Sequence, residues 1–263
     1  MSKSTFYKIK LGMLISLGMV LFFQIKFIAQ TNVEYKILKD ANRAYNEGEF
    51  QKAAEQYEKL VKTGYSAAEL YYNLGNSYYR LGDYKSAILN FERAKKLAPG
   101  DENIQINLEF SQKYVQDKIE ELPEFFLISW IRGFFDLFSS KSWGIISITG
   151  FIGFLSLALV FLFTRVLLFR KIAFYLGIII AFISLVSFYA SYKQYKIQTT
   201  HNTAIIFEQS VSVKSSPNEN GTVLFVIHEG LKVTITGTSG NWKEIKLSDG
   251  KIGWLPKESI VEI

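Results

Sequence analysis

The stretch "YYNLGNSYYRLGDYKSAILNFERAKKLAPGD", residues 71–101, decides the fold of the N-terminal half of the chain. It favours helix, yet Gly75, Gly82 and Ala87 stand among large aromatic residues. Glycine inside a helix costs about 0.5–1 kcal/mol relative to alanine. Its presence here therefore predicts a contact between two helices that is too close for a larger side chain.

The same pattern stands 34 residues upstream in a weaker form. A period of about 34 residues is typical of helix-turn-helix repeats. The alternative is a pair of unrelated amphipathic hairpins, which would have no reason to share a register. The members of each of these pairs are 34 residues apart: Asn42 and Asn76, Gly48 and Gly82, Phe50 and Tyr84, Ala53 and Ala87, Tyr57 and Phe91.

Counted from Ala68, the second unit resembles the tetratricopeptide repeat at every signature position. We predict two units, 34–67 and 68–101, of which the first is a degenerate copy. A stacked repeat needs a cap for its last apolar face. Residues 102–119, preceded by the N-cap residue Asp101, are predicted to be that capping helix. The signature residues of the second unit are Tyr71, Leu74, Gly75, Tyr78, Gly82, Ala87, Phe91, Ala94 and Pro99.

The tetratricopeptide resemblance implies a peptide-binding groove lined by the first helix of each unit. Asparagine amides in such a groove can pair with a peptide backbone, tyrosines offer rigid apolar area, and arginine can receive a carboxylate. The alternative is that these are ordinary solvated polar residues. The implied groove residues are Asn42, Tyr45 and Asn46 in the first unit, and Tyr72, Asn76, Tyr79 and Arg80 in the second.

Two long apolar segments follow the repeats. Residues 142–164 and 172–192 contain no Asp, Glu, Lys or Arg, and about 20 apolar residues span the hydrocarbon core of a bilayer. We predict a transmembrane helical hairpin with "RVLLFRK", residues 165–171, as its connection. The alternative, a hairpin buried in a large soluble core, lacks a layer of sufficient size to cover it.

The N-terminus predicts export. Lys3, Lys8 and Lys10 precede an uncharged run over residues 11–25. Residues 1–29 are therefore interpreted as a signal peptide or, if uncleaved, an N-terminal anchor.

The hairpin alone is ambiguous in its orientation, because its connection holds three basic residues and its other end has four nearby, Arg132, Lys141, Lys193 and Lys196. A basic N-terminus stays in the cytoplasm, so the positive-inside rule favours export of the repeats and return of residues 165–171 to the inside.

The net charge of +6 belongs to the flanks of the apolar segments. Residues 30–124 carry 13 basic and 16 acidic residues, and residues 201–263 carry 6 and 7. The remaining parts carry 11 and 1, so the basic excess favours anionic lipid of the bilayer rather than nucleic acid as the partner.

Residues 124–140 join the repeats to the apolar pair. Ser129, Arg132, Asp136 and Ser140 form one polar stripe on a helix that is otherwise rich in aromatic residues. This pattern predicts an amphipathic helix in the membrane interface. The alternative is an apolar face packed against the cap or the transmembrane pair.

The last part of the chain, residues 203–263, consists of short β-rich runs separated by turn residues. It resembles the bacterial SH3 domain around Trp242, Trp254 and Pro256, which implies a ligand groove at these residues. The tyrosine that usually follows the proline has no counterpart, because Ile260 stands near its place. The alternative is that both tryptophans are core or rim aromatics.

No catalytic constellation is present in the sequence, which has two histidines and no cysteine. We therefore predict a protein that is not an enzyme and has no cofactor or metal. The overall order, with the segments "DKIEELPE" and "SVKSSP", resembles the BatE family, the repeat-containing component of the Bacteroides aerotolerance operon. The resemblance implies a bacterial inner membrane protein, and with the orientation predicted above its soluble modules face the periplasm. It also implies work beside von Willebrand A-type membrane proteins and a MoxR-type ATPase, in a complex linked to envelope or oxidative stress.

The predicted fold class is therefore a multidomain membrane protein. It comprises an all-α tetratricopeptide repeat, a transmembrane helical hairpin and a C-terminal all-β SH3-like barrel. The predicted function is a scaffold for protein–protein interaction. The alternative function is an envelope receptor whose SH3 domain binds peptidoglycan, through its peptide or its glycan.

Overall fold

A computed structural model describes residues 33–120 and 125–263 of the chain. The predicted signal peptide or anchor, residues 1–29, lies outside the described residues. The described residues divide into two units, 33–66 and 67–263 without residues 121–124.

The first unit contains helix α1, residues 33–46, and helix α2, Phe50–Lys62. Gly48, with a φ of +82°, reverses the chain between them. Tyr57 is almost fully buried, and its hydroxyl donates a 2.6 Å hydrogen bond to Oδ1 of Asn42. The two helices therefore pair through an aromatic core residue that also satisfies a polar side chain.

The second unit begins with helices α3, Ala68–Leu81, and α4, Tyr84–Leu97. Gly82 ends α3 in the left-handed conformation with a φ of +78°, which glycine adopts without steric cost. Asp83 then begins α4, because its carboxylate accepts a 3.2 Å hydrogen bond from the backbone N–H of Ser86. This glycine and aspartate define the predicted turn.

Gly75 has no side chain because the ring of Phe91 occupies that space. A Cβ at Gly75 would lie 2.7 Å from Cε1 of Phe91, and Phe91 is fully buried. Ala87 is also fully buried on α4. The small residue on α3 therefore accommodates a large one on α4, as the glycine pattern of the sequence predicts.

Helix α5, Glu102–Gln112, follows a turn and is N-capped by Asp101, whose carboxylate accepts from the N–H of Asn103 at 2.9 Å. The helix is shorter than the predicted range 102–119. Residues 115–120 leave it and run to the C-terminal domain, where Ile119 packs against the apolar core. This contact with another domain replaces the last two predicted turns of helix.

Three further helices follow: α6, Phe126–Asp136, α7, Ser140–Phe163, and α8, Leu167–Thr199. Helices α7 and α8 are long and apolar enough to cross a membrane, and only 6% and 22% of their most apolar windows are buried. Their connection is residues 164–166, shorter than the predicted 165–171, since Arg170 and Lys171 already lie in α8.

Serines hold α7 and α8 together. Ser147 and Ser184 each donate to the other's carbonyl oxygen, at 3.0 and 2.8 Å. Ser140 and Ser191 repeat this exchange at 3.0 and 2.9 Å. In a bilayer the hydrophobic effect does not drive helices together, because lipid tails are as apolar as the side chains. Small residues then favour association by letting the helices pack closely. The pairing is therefore suited to an apolar surrounding.

The C-terminal β domain, residues 203–263, is a seven-stranded antiparallel sheet with the order β3-β2-β6-β5-β4-β1-β7. A 3₁₀ turn, Lys257–Ser259, precedes the last strand. The core of the β domain is built from alternating buried residues such as Val211, Val213, Ile245 and Leu255. The strands are β1, Thr203–Ile206, β2, Ser210–Lys214, β3, Val223–His228, β4, Lys232–Ser239, β5, Trp242–Lys246, β6, Ile252–Pro256, and β7, Ile260–Glu262.

The predicted fold class is confirmed in its architecture: a helical repeat, a pair of long apolar helices and an all-β domain. The predicted interfacial helix, 124–140, corresponds to α6, which covers Phe126–Asp136 and is followed by a short break before α7.

We predict that Gly75→Ala destabilises the second repeat by about 1–3 kcal/mol, because the buried Phe91 ring must move and this cost exceeds the gain in helix propensity. Hydrogen exchange of the full chain should be faster in α3 and α4. Gly133→Ala is the matched control, since a Cβ there meets nothing within 4 Å. Equal exchange in α3 and α4 for both variants would contradict the assigned contact.

Candidate functional site

The predicted groove residues of the first unit lie on helix α1. Asn42 accepts the Tyr57 hydrogen bond inside the repeat, so its carbonyl oxygen contributes to helix pairing. Tyr45 is half-buried, and its ring meets the edge of the Phe50 ring at 5.3 Å. Asn46 is exposed. In this unit, then, Asn46 offers the freest surface and Asn42 is partly committed to the fold.

The predicted groove residues of the second unit lie on helix α3, where Tyr72, Asn76 and Tyr79 are half-buried and Arg80 is exposed. The amide nitrogen of Asn107 on α5 donates to Oδ1 of Asn76 at 2.8 Å and to the hydroxyl of Tyr72 at 3.0 Å. Helix α5 therefore lies directly beside α3, joined to it by one asparagine.

Helix α5 continues the 34-residue register of the repeats. Ile106, Phe110 and Tyr114 stand 34 positions after Tyr72, Asn76 and Arg80. They are apolar and yet exposed, by 47%, 47% and 57%. The cap of a repeat array normally carries a polar outer face, so these side chains depart from a purely capping role.

These additional residues extend the candidate groove onto α5. We call the combined face the α3–α5 surface. These residues could have been predicted from the sequence by adding 34 to the numbers of the groove residues on α3, the same spacing that relates the first two repeat units. The surface comprises Tyr72, Asn76, Tyr79, Arg80, Ile106, Asn107, Phe110 and Tyr114.

Two tyrosines of the α3–α5 surface, Tyr79 and Tyr114, form an aromatic cluster with Tyr84. The rings of Tyr84 and Tyr114 stack with centroids 3.8 Å apart and planes 4° apart, and Tyr79 meets both rings nearly edge-on. A hydrogen bond shared with Tyr114 raises the pKa of Tyr79, and burial raises the pKa of Tyr84. The three packed rings form an aromatic wall, and the upward shifts disfavour ionisation of Tyr79 and Tyr84.

The chemistry of the α3–α5 surface suits the binding of a ligand. It combines exposed apolar side chains with an asparagine amide and with the cation Arg80, and a second cation, Lys113, lies beside it. The ammonium of Lys113 lies 4.3 Å from the centre of the Phe110 ring, a favourable cation–π distance. Among the described residues, no group of three His, Cys, Asp or Glu side chains is arranged to hold a metal ion.

The β domain carries the second predicted site. Trp242 and Pro256 are paired across strands β5 and β6, and Trp254 lies two residues before Pro256. All three are half-buried and alternate along their strands with the buried Ile245 and Leu255. They therefore share the outer face of the sheet rather than its core.

Lys214 lies over this aromatic face. Lys214 is paired with Trp254 across strands β2 and β6, and the Lys214 ammonium lies 5.1 Å from the centre of the Trp242 ring. The same ammonium contacts the Glu219 carboxylate at 2.6 Å. The face therefore presents two indole rings with a cation held above one of them.

The β domain packs against helix α4 of the second repeat. Ile88 and Phe91 of α4, together with Val115, form one apolar cluster with Ile205 and Ile263 of the β domain. A Cβ at Gly230 would lie 3.0 Å from Val115, and the φ of Gly230 is +84°. This turn of the β domain therefore needs glycine for its conformation and for its close approach to the helical part.

Ion pairs surround the apolar contact between α4 and the β domain. Lys85 contacts Glu229 at 2.7 Å, and Lys232 contacts Glu92 at 2.7 Å. The side chain of Glu92 is only 6% exposed, whereas that of Lys232 is 41% exposed. Glu92 is thus a nearly buried charge that depends on a lysine from another domain.

Further polar contacts join the same two parts. The carboxylate of Asp117 contacts both the backbone N–H and the ring nitrogen Nδ1 of His228, at 2.6 and 2.9 Å. Lys96 donates to the carbonyl oxygens of Thr200 and Ile263, both at 2.8 Å. Burial lowers the pKa of Lys96, as expected for an ammonium withdrawn from water.

Two known families match separate parts of the chain. Residues 38–102 match the tetratricopeptide repeat family, and residues 209–261 match the bacterial SH3 domain family. No curated protein matches the chain. A tetratricopeptide repeat and a bacterial SH3 domain are therefore present, which confirms both domain assignments made from sequence.

Each of these domains usually serves interaction rather than catalysis. The α3–α5 surface belongs to the tetratricopeptide part, and the aromatic face of Trp242, Trp254 and Pro256 belongs to the SH3 part. Together they indicate protein–protein interaction or cell-wall binding.

We predict that Lys232→Met weakens the contact between α4 and the SH3 domain by about 1–3 kcal/mol, because it leaves Glu92 buried without its partner. Hydrogen exchange in α4 and β4 should rise. Adding Glu92→Gln should restore most of the protection, since the unpaired charge is then gone.

The exposed pair between Lys251 and Asp249 supplies the control for this prediction. Lys251→Met should change stability by less than about 1 kcal/mol, as surface pairs usually do. A double variant no more protected than Lys232→Met alone would contradict the assigned role of Glu92.

Proposed function

We propose that the protein is a non-enzymatic membrane scaffold that binds a protein partner through the α3–α5 surface. The observation that carries this proposal is the exposure of Ile106, Phe110 and Tyr114 at the 34-residue equivalents of Tyr72, Asn76 and Arg80. An extended peptide with large apolar side chains suits this surface, and the amide nitrogen of Asn76 and the amide oxygen of Asn107, which the contacts between these two residues do not use, suit its backbone.

The proposed setting is a complex of the Bat type. The order of domains resembles the BatE family, and the proposed partners are von Willebrand A-type membrane proteins of the same system. The proposed process is aerotolerance or the response to envelope stress. The tetratricopeptide and SH3 matches support an adaptor role in such a complex, since both are interaction domains.

The proposed location is the bacterial inner membrane, with both soluble domains in the periplasm. The exposed apolar helices α7 and α8 support insertion in a bilayer. The basic residues Lys3, Lys8 and Lys10 support a cytoplasmic N-terminus, from which the following chain would be exported.

A second candidate function is recognition of the cell wall by the SH3 domain. The outer face of Trp242, Trp254 and Pro256 favours it, because two half-buried indole rings offer flat apolar area to a sugar ring or to a stem peptide. In that case the repeats would support the receptor domain and would not contact the ligand.

We predict that Ile106→Ala combined with Phe110→Ala releases the membrane proteins that co-purify with the full chain from native membranes. Truncating two central apolar contacts should weaken binding about tenfold or more, or about 1.4 kcal/mol and upwards. Folding should be unchanged, because both side chains are half-exposed in the absence of a partner.

The matched control carries Val226→Ala and Ile252→Ala, which remove apolar side chains of similar exposure from the SH3 domain. It should retain the partners. The groove proposal would be overturned if the variant with Ile106→Ala and Phe110→Ala retains the partners while Trp242→Ala or loss of the SH3 domain releases them. Comparing how the unmodified chain and the Trp242→Ala variant sediment with purified peptidoglycan would then test the receptor function.

We also predict that protease added to the periplasmic side degrades both the repeat and the SH3 domain in spheroplasts. The basic residues before the first apolar run and those at the start of α8 support an outside location of these domains under the positive-inside rule. Immunoblots against tags in each domain measure the loss. Protection of either domain in intact spheroplasts, with digestion after lysis, would contradict the proposed topology.

A further inference from the structure

Helix α6 is an apolar helix with no buried residue. Its most exposed side chains form one stripe, with Phe126 71% exposed and Trp130 76% exposed. Phe134 and Leu137 continue the stripe at helical spacing and are also exposed. An isolated helix of 11 residues is marginal in water, and a contiguous row of exposed large apolar side chains indicates an interaction surface.

The C-terminal end of α6 is fixed to the apolar hairpin. Trp143 of α7 and Gln194 of α8 both donate to the carbonyl oxygen of Phe135, each at 3.0 Å. Gln194 also donates to the Asp136 carboxylate at 2.7 Å. These bonds satisfy a carbonyl that the helix end leaves without an internal partner, so α6 is held at one level of the hairpin.

That level is the end of the uncharged segment of the hairpin. Lys141 follows the first residue of α7, and Lys193 lies one residue before Gln194 in α8. The Lys193 ammonium lies 4.6 Å from the centre of the Phe135 ring. Aromatic and basic side chains at the end of an apolar span are the composition that prefers the lipid headgroup region.

We propose that the stripe of Phe126, Trp130, Phe134 and Leu137 is buried in the headgroup region of an anionic lipid bilayer, on the side that carries the repeat and SH3 domains. The inference rests on the proposed insertion of α7 and α8. Continuity favours lipid over a protein partner, because α6 is bonded to the same hairpin whose exposed apolar surface defines the membrane belt.

This lipid contact also sets the position of the second repeat. A Cβ at Gly100, in the turn between α4 and α5, would lie 2.7 Å from the carbonyl oxygen of Leu137 and 2.8 Å from that of Asp136. The turn therefore rests against the end of α6. With α6 in the headgroups, the α3–α5 surface is held close to the membrane, where a membrane-bound partner can reach it.

The chain has no cysteine, so single cysteines give unambiguous labels. Trp130→Cys, Leu155→Cys and Ser239→Cys place the fluorophore NBD on α6, in the middle of α7 and on the SH3 domain. Each full-length variant is reconstituted in vesicles of phosphatidylethanolamine and phosphatidylglycerol. The vesicles carry nitroxide quenchers either at the lipid headgroup or near the end of the acyl chain.

We expect the label at position 130 to lose most of its fluorescence with the headgroup nitroxide and little with the deep one. The label at 155 should show the reverse, and the label at 239 should respond to neither. If position 155 is quenched by the deep nitroxide but position 130 by neither, α6 lies in water or under protein and the inference is wrong. If position 155 escapes the deep nitroxide, the proposed membrane insertion itself fails.

Discussion

The burial of helix α4 on two sides is the constraint on which the second unit depends. Seven of its 14 residues are buried, including the polar Asn90 and Glu92. One side packs on α3, where Phe91 fills the space above Gly75. The other side packs on the SH3 domain through Ile88 and the ion pair of Glu92. A single helix thus connects the candidate groove to the C-terminal domain.

The helical pairing could be predicted from sequence because it is local and periodic. Gly75, Gly82 and Ala87 lie where the repeat register requires small residues, and Gly82 adopts the left-handed conformation at the turn. The β domain was predictable for a similar reason, because alternation and turn residues mark its short strands. The contacts of individual side chains could not be predicted in this way. The sequence predicts that Asn76 binds a peptide, which stays a prediction, but it gives no sign that the Asn76 oxygen also accepts a hydrogen bond from Asn107.

The docking of the SH3 domain on α4 could not be predicted in the same way. Its contacts join residues that are far apart in sequence, such as Lys85 and Glu229, which are 144 positions apart. Individually these are ordinary surface charges, with no periodicity that links one to the other. Residues 115–120 are the clearest case, since an expected end of helix instead supplies Asp117 and Ile119 to the β domain.

The course of helix α8 explains how the domain contacts and the apolar hairpin form one unit. The helix continues without a break from its apolar part to Thr199, and the next carbonyl, that of Thr200, accepts from Lys96 of α4. Lys96 also donates to Ile263, so one ammonium bridges the end of α8, the repeat and the last strand region. Burial lowers the pKa of Lys96 because withdrawing its charge from water is costly, and the two acceptors offset that cost. The bonds therefore favour one arrangement of the hairpin, the second repeat and the SH3 domain over independent movement of these three parts.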